Sequence, residues 1–198
     1  PFRSIFRTVF FLPSIVPLVA SSVLWLWVLN PQNGLINSLL IQWFGMEGPG
    51  WLASPDWSKP SLILMSLWGV GGAMVVFMAG LSDVPTTLYE VAELDGAGLW
   101  GKFRNVTLPM MTPTILFNLV MGLIESLQYF TQVYVMTGGK GSPVYSTMFF
   151  ALYMYRKAFR YFEMGYASAM AWMLFVVILA ATLGVIASSK KWVYYHGD

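Results

Sequence analysis

Asn118, Glu125 and Gln132 recur every seven residues in an otherwise apolar run, with Gly122, Gln128 and Tyr129 between them at three- and four-residue offsets. On a helix this spacing predicts one polar face. Carboxamides and a carboxylate along such a face offer donors and acceptors to a hydroxyl-rich solute such as a sugar, and Tyr129, Phe130 and Trp68 offer apolar faces to its rings. The same residues would equally serve as interhelical hydrogen bonds that hold a bundle together. Glu125 has a third reading, as a proton or cation site, because an intramembrane carboxylate is costly unless it faces water or protein.

Other chemistries fail on residue type. The chain has no cysteine and a single histidine, His196, in its last residues. Thiolate nucleophiles, disulfides and thiolate metal sites are therefore excluded. A membrane-embedded hydrolase lacks a histidine within any apolar run and a cluster of metal ligands. No glycine-rich phosphate loop ending in Gly-Lys-Ser or Gly-Lys-Thr occurs; from Gly98 to Lys102 the spacing is wrong, and Phe103 follows the lysine. No cofactor or metal is expected, and a net charge of +2 gives no field for nucleic acid.

The polar stripe needs apolar elements around it, and the composition supplies them. The chain is 57% hydrophobic and 10% charged, with a mean hydropathy of +0.64, against about 25% charged residues in a soluble domain. Crossing a bilayer takes about 20 apolar residues. Four runs qualify, from about residues 8 to 29, 61 to 81, 110 to 136 and 164 to 189. In lipid each must be helical, so that every backbone group finds a partner within its own segment. Pro13 and Pro17 predict a kink or a late start in the first run. Pro109 and Pro113 open the third, where a first turn tolerates proline. Gly69, Gly71, Gly72, Ala73, Ala79 and Gly80 in the second allow close helix contact or a bend. Trp43, Trp51 and Trp57 lie in the 30–60 connection, where aromatics anchor the headgroup region or serve a docking surface. Arg156, Lys157 and Arg160 suggest a short interfacial helix.

Between the second and third runs lies a charged, glycine-punctuated loop, residues 82–109. Asp83-Val84-Pro85 reads as a helix start, and Thr87 to Glu90 also fits a capping box. Asp95-Gly96 is a helix end. A second short helix is expected from Ala97 to Val106, and Leu108-Pro109 launches the third run. Two short helices joined at a glycine make a compact knob; the plainer reading is an amphipathic loop on the membrane surface.

The stretch Leu88 to Ala97, LYEVAELDGA, followed by Val106-Thr107-Leu108-Pro109, resembles the "EAA" loop of ABC-importer permeases, with Val91 where the pattern has alanine. FRTVFFLPSIVP, LMSLWGVGGAM, FNLVMGLIESLQYFTQVYVMTGG, MGYASAMAW and KKWVYY extend the resemblance to carbohydrate permeases of the maltose type, the first of the two subunits in particular. The resemblance implies an all-α membrane protein, a polytopic transmembrane helical bundle of the ABC importer type I permease kind with four of six core spans present and two N-terminal spans missing. It implies that Glu90, Ala92, Asp95, Gly96, Leu108 and Pro109 couple the loop to an ATPase. It places Asn118, Glu125, Gln128, Tyr129, Gln132 and Trp68 near a substrate pathway. The implied partners are a second permease subunit, two cytoplasmic ATP-binding subunits, an extracytoplasmic solute-binding protein, a sugar substrate and the lipid bilayer. The implied location is the bacterial plasma membrane, with the loop and the C-terminal end inside. Six cations inside (Arg3, Arg7, Lys102, Arg104, Lys190, Lys191) against five outside give charge little say in that orientation. The alternative function is a secondary transporter using Glu125.

Overall fold

The computed structural model describes residues 2–194, with side chains from Ser4 onward; His196 and the Arg3 side chain lie outside the described residues. The chain forms eleven α-helices among the described residues. They are α1 (Phe2–Ile15), α2 (Leu18–Val28), α3 (Leu35–Phe44), α4 (Pro55–Ser66), α5 (Gly71–Ser82), α6 (Thr86–Leu94), α7 (Leu99–Lys102), α8 (Leu108–Leu127), α9 (Thr131–Thr137), α10 (Phe150–Phe159) and α11 (Met164–Ser189). Short 3-10 turns occupy Trp51–Ala53 and Leu67–Gly69, and a π turn occupies Phe103–Thr107. The chain divides into two compact units: one of residues 1–71 with 127–174, the other of 72–126 with 175–198.

In the first unit the apolar run at 8–29 is two helices meeting at 100°. Pro17 sets the break: it has no N–H to continue α1, and it pushes the preceding Val16 away from the helical region. The core gathers around Trp25, Leu29, Leu62, Met65, Val133, Met136 and Leu152, where α2 packs on α9. Buried hydroxyls are satisfied locally. Ser22 donates to Leu18 O at 2.7 Å, Ser61 to Trp57 O at 2.7 Å and Thr147 to Ser142 O at 2.9 Å. Such hydroxyls are compatible with a water-poor interior because each bonds a carbonyl close by in the chain. α10 does form around Arg156 and Lys157. Arg156 donates to Lys140 O at 3.0 Å and to the Tyr161 hydroxyl at 3.0 Å, and Lys157 pairs with Glu163 at 2.9 Å.

Trp51 departs from the expected surface anchor: it is a buried core residue of this unit. Its indole N–H donates to Asn37 Oδ1 at 2.6 Å, while Asn37 Nδ2 donates to Pro31 O at 3.0 Å. Asn37 thus gathers three parts of the 30–60 connection on one buried carboxamide, and Trp51 holds a left-handed φ of 39° there. Trp43 and Trp57 remain exposed.

The second unit holds the loop and most of α5 and α8, with the end of α11. Gly80 lies so close to the Thr114 side chain that any added Cβ would collide with it, which brings α5 and α8 together at a small residue. α11 is a continuous apolar helix of 26 residues, most of them exposed. At 1.5 Å per residue it is about 39 Å long, enough to cross a hydrocarbon core.

Replacing Asn37 by leucine should destabilise the protein by about 1–3 kcal/mol, because the Trp51 N–H and the Pro31 carbonyl lose their partner. Thermal unfolding in detergent, followed by tryptophan fluorescence, checks this; an unchanged midpoint would mean that water replaces the carboxamide without loss.

Candidate functional site: the loop between α5 and α8

α6 begins at Thr86, after Pro85 at φ −61° and ψ 131°, with no side-chain cap. Neither expected cap is made. Asp83 instead finishes α5, its N–H bonding Ala79 O at 3.1 Å. The proline supplies the fixed φ, and its missing N–H would have had no helical acceptor.

The other end of α6 is built as the Asp95-Gly96 pair predicts. Gly96 has φ +78°, its N–H bonds Glu93 O at 3.0 Å, and the Ala97 N–H bonds Ala92 O at 2.9 Å. These two bonds form a Schellman motif, which closes off the last carbonyls of the helix. Nothing lies within 4 Å of a Cβ built on Gly96, so the demand for glycine comes from the backbone and not from crowding.

The expected second helix is shorter and differently wound. α7 covers only Leu99–Lys102 and passes into the π turn Phe103–Thr107. Pro109 explains the change of register. It cannot donate to the carbonyl four residues back, Asn105, so an α register there would leave a carbonyl without a partner. Two contacts tie this segment back to α6. The Tyr89 and Thr107 hydroxyls meet at 2.9 Å, and Lys102 Nζ donates to Glu93 Oε2 at 2.6 Å. The bond from Lys102, then its charge, holds the Glu93 carboxyl below the usual carboxylate range. Both groups reach solvent, so the pair is worth little in stability and serves to align the two helices.

Between α6 and the π turn lies a cleft of about 560 Å³. Of the residues singled out in the sequence, Ala92, Asp95 and Pro109 line it, together with Val91, Asn105 and Tyr194. Glu90, Gly96 and Leu108 do not line it; Glu90 and Gly96 face solvent, and Leu108 is partly exposed. Beside the cleft stand Leu94, Leu99 and Trp100, which are 87%, 89% and 72% exposed. Trp100 stacks on Phe103 with ring centroids 5.5 Å apart. The pattern reading missed this apolar knob; its one signal is the pair Leu99-Trp100 within a polar loop, and nothing in the spacing says that it faces outward. Tyr194 falls within the KKWVYY segment, but nothing local places it in this cleft.

The polar stripe divides. Asn118 and Glu125 share a face of α8, in the second unit. Asn118 Nδ2 donates to Thr114 O at 2.9 Å, within its own helix, and Glu125 is exposed. Gln128, Tyr129, Gln132 and Trp68 belong to the first unit. The helix ends at Leu127, and Phe130 takes φ −137° and ψ −60° before α9. The seven-residue spacing therefore does not carry a single helix face on to Gln132. At the break the rings pack: Tyr129 meets Phe149 edge-on at 5.6 Å, and Phe130 meets Tyr155 at 5.1 Å. Trp68 meets Trp25 edge-on at 5.8 Å. The Tyr129 hydroxyl and the Trp25 indole N–H are buried and make no hydrogen bond among the described residues. No group of three or more His, Cys, Asp or Glu is placed to hold a metal among the described residues.

Long apolar helices with one helical loop between them define a polytopic helical membrane protein. The chain belongs to the family of binding-protein-dependent transport system inner membrane components, whose pattern matches residues 1–191. It is 40% identical over 195 residues to the probable ABC transporter permease protein YesP of Bacillus subtilis, a match covering 98% of this chain and 62% of that protein. It is 34% identical over 187 residues to the lactose transport system permease protein LacF of Rhizobium radiobacter, covering 93% of this chain and 62% of that one. In structure it is similar to a chain of a bacterial alginate ABC transporter solved in complex with an alginate pentasaccharide-bound periplasmic protein. The TM-score is 0.86 at 28% identity, over 96% of this chain and 66% of that chain. The chain thus spans 62% of the length of these two curated relatives.

Because the Glu93 carboxyl titrates lower when folded than when unfolded, its contribution is complete above the unfolded carboxylate range and is lost as pH falls through its folded value. Protection of the amides from Ala97 to Lys102, corrected for intrinsic exchange, should therefore drop as the pH falls below the ordinary carboxylate range. Glu93→Gln should abolish that step; a step of equal size in the variant would assign it to another group.

Proposed function

We propose that this chain is a permease subunit of an ATP-driven carbohydrate importer, and that the loop at 82–109 docks on a cytoplasmic ATPase. The observation that carries the reading is the exposed knob of Leu94, Leu99 and Trp100 on a helical loop braced at both ends. Large apolar side chains held out in water, with Glu93, Asp95, Lys102 and Arg104 close by in the sequence, suit a protein partner's groove. Family membership and the sugar-transport relatives support the same assignment. The chain has no phosphate-binding loop of its own, so the energy comes from the partner.

In this reading the loop and the 190–194 segment lie on the cytoplasmic side. The chain forms half of a translocation path with a second permease subunit and receives its sugar from an extracytoplasmic solute-binding protein. Glu90, Ala92, Asp95, Gly96, Leu108 and Pro109 transmit the motion of two ATPase subunits. Asn118 and Glu125 on α8, and separately Trp68, Gln128, Tyr129 and Gln132 in the first unit, contact the passing solute. The buried Tyr129 hydroxyl, with no hydrogen bond among the described residues, supports that role.

Gly96→Val forces a branched side chain into a left-handed backbone at a cost of about 1–2 kcal/mol and dislocates the knob. Uptake into vesicles should fall at least tenfold while membrane insertion stays normal; Gly96→Asn, which accepts that backbone more readily, should retain more. Normal uptake by Gly96→Val would count against the coupling role. In the same vesicles, uptake that survives ATP depletion but collapses with the ion gradient would favour the secondary-transporter reading through Glu125.

A further inference from the structure

The Pro109 carbonyl, at the head of α8, has lost its ordinary helical donor. The residue four positions on is Pro113, which has no N–H. The Thr112 hydroxyl takes that place, donating to Pro109 O at 2.6 Å. The Thr112 hydroxyl oxygen in turn accepts the backbone N–H of Tyr194 at 2.8 Å, from 82 residues away in the chain. A hydroxyl has one proton to give and lone pairs to receive, so both bonds are made at once. Thr112, the adjacent Met111, and Ser189 at the end of α11 are all buried, and a hydrogen bond sheltered from water is stronger than one in it.

The segment that brings Tyr194 to this point is itself held. Trp192 N–H bonds Ser189 O at 3.1 Å and Val193 N–H bonds Ser189 O at 2.8 Å, while the Trp192 indole N–H donates to the Ser188 hydroxyl at 3.3 Å. Anchored by these turns at one end and by Thr112 at the other, the segment places Tyr194 in the cleft that Ala92, Asp95 and Pro109 also line.

We propose that Thr112 is a positioning residue of the coupling site: its hydroxyl ties the 190–194 segment to the loop at Pro109, so that segment and loop move together and present one surface to the partner. This rests on the reading of 82–109 as the ATPase-coupling loop and assigns that site a second, distant piece of chain. Thr112 is buried and acts through Pro109 and Tyr194.

The test uses the full protein in its assembled transporter. The chain has no cysteine, so Ala97→Cys with Tyr194→Cys gives a pair of thiols at two residues that line the cleft, and Tyr194→Cys keeps the backbone N–H. A short bifunctional thiol reagent should crosslink the pair in the Thr112 background. Thr112→Val combined with Pro113→Ala removes the tether while giving the Pro109 carbonyl a backbone N–H again, which separates the tether from the integrity of α8. In that double variant the crosslinking yield and, with the native residues at 97 and 194, the sugar moved per ATP hydrolysed should each fall at least threefold. Thr112→Ser, which keeps the hydroxyl, should retain both. If either quantity in the double variant equals the native value, the proposal is overturned. An unchanged crosslink beside an inactive Gly96→Val sinks the tether alone. Normal uptake by Gly96→Val sinks the coupling reading, and this proposal with it.

Discussion

Pro109 and Pro113 stand four residues apart where a loop becomes a long apolar helix, and each removes a backbone donor that the first turns of that helix would use. A helix entering lipid has no water to make good such losses. Much of the local design answers that constraint. The π turn at Phe103–Thr107 relaxes the register before Pro109. The Thr112 hydroxyl caps the Pro109 carbonyl, and the Tyr89–Thr107 contact fixes the approach of α6. The result is a loop whose shape is set by hydrogen bonds to specific atoms and not by a packed core, since the residues that cover most of its surface are exposed.

The first unit solves a different problem. Its helices are short or broken, and short helices expose many terminal carbonyls and amides. Serine and threonine hydroxyls bonded back to nearby carbonyls, and one carboxamide that draws Trp51 against the Pro31 turn, let polar atoms sit in an apolar interior. The aromatic contacts of Tyr129 and Phe130 fall where the chain passes from α8 to α9.

Much of this was legible in the residues. The apolar runs, the loop between them, the kink at Pro17 and the helix end at Asp95-Gly96 follow from hydropathy, proline chemistry and the conformational freedom of glycine, all of which act within a few residues. The burial of Trp51 was not legible, because it depends on Asn37, fourteen residues away. The interruption at residues 128–130 was hidden for the same reason: the seven-residue spacing is real, but the rings beside it pack on Phe149 and Tyr155. At the loop, Ala92, Asp95 and Pro109 were within reach of pattern reading, whereas Tyr194 enters the cleft through a contact 82 residues long in sequence. Local rules see caps and breaks; they do not see which distant segment supplies the missing donor.

The Schellman closure at Gly96 has a mechanical corollary. Its two bonds occupy the carbonyls of Ala92 and Glu93, so α6 cannot gain another turn by winding up the residues beyond it. Leu99 and Trp100 instead stand at the head of a helical stretch that runs through the π turn into α8, so Gly96 is the joint between that stretch and α6.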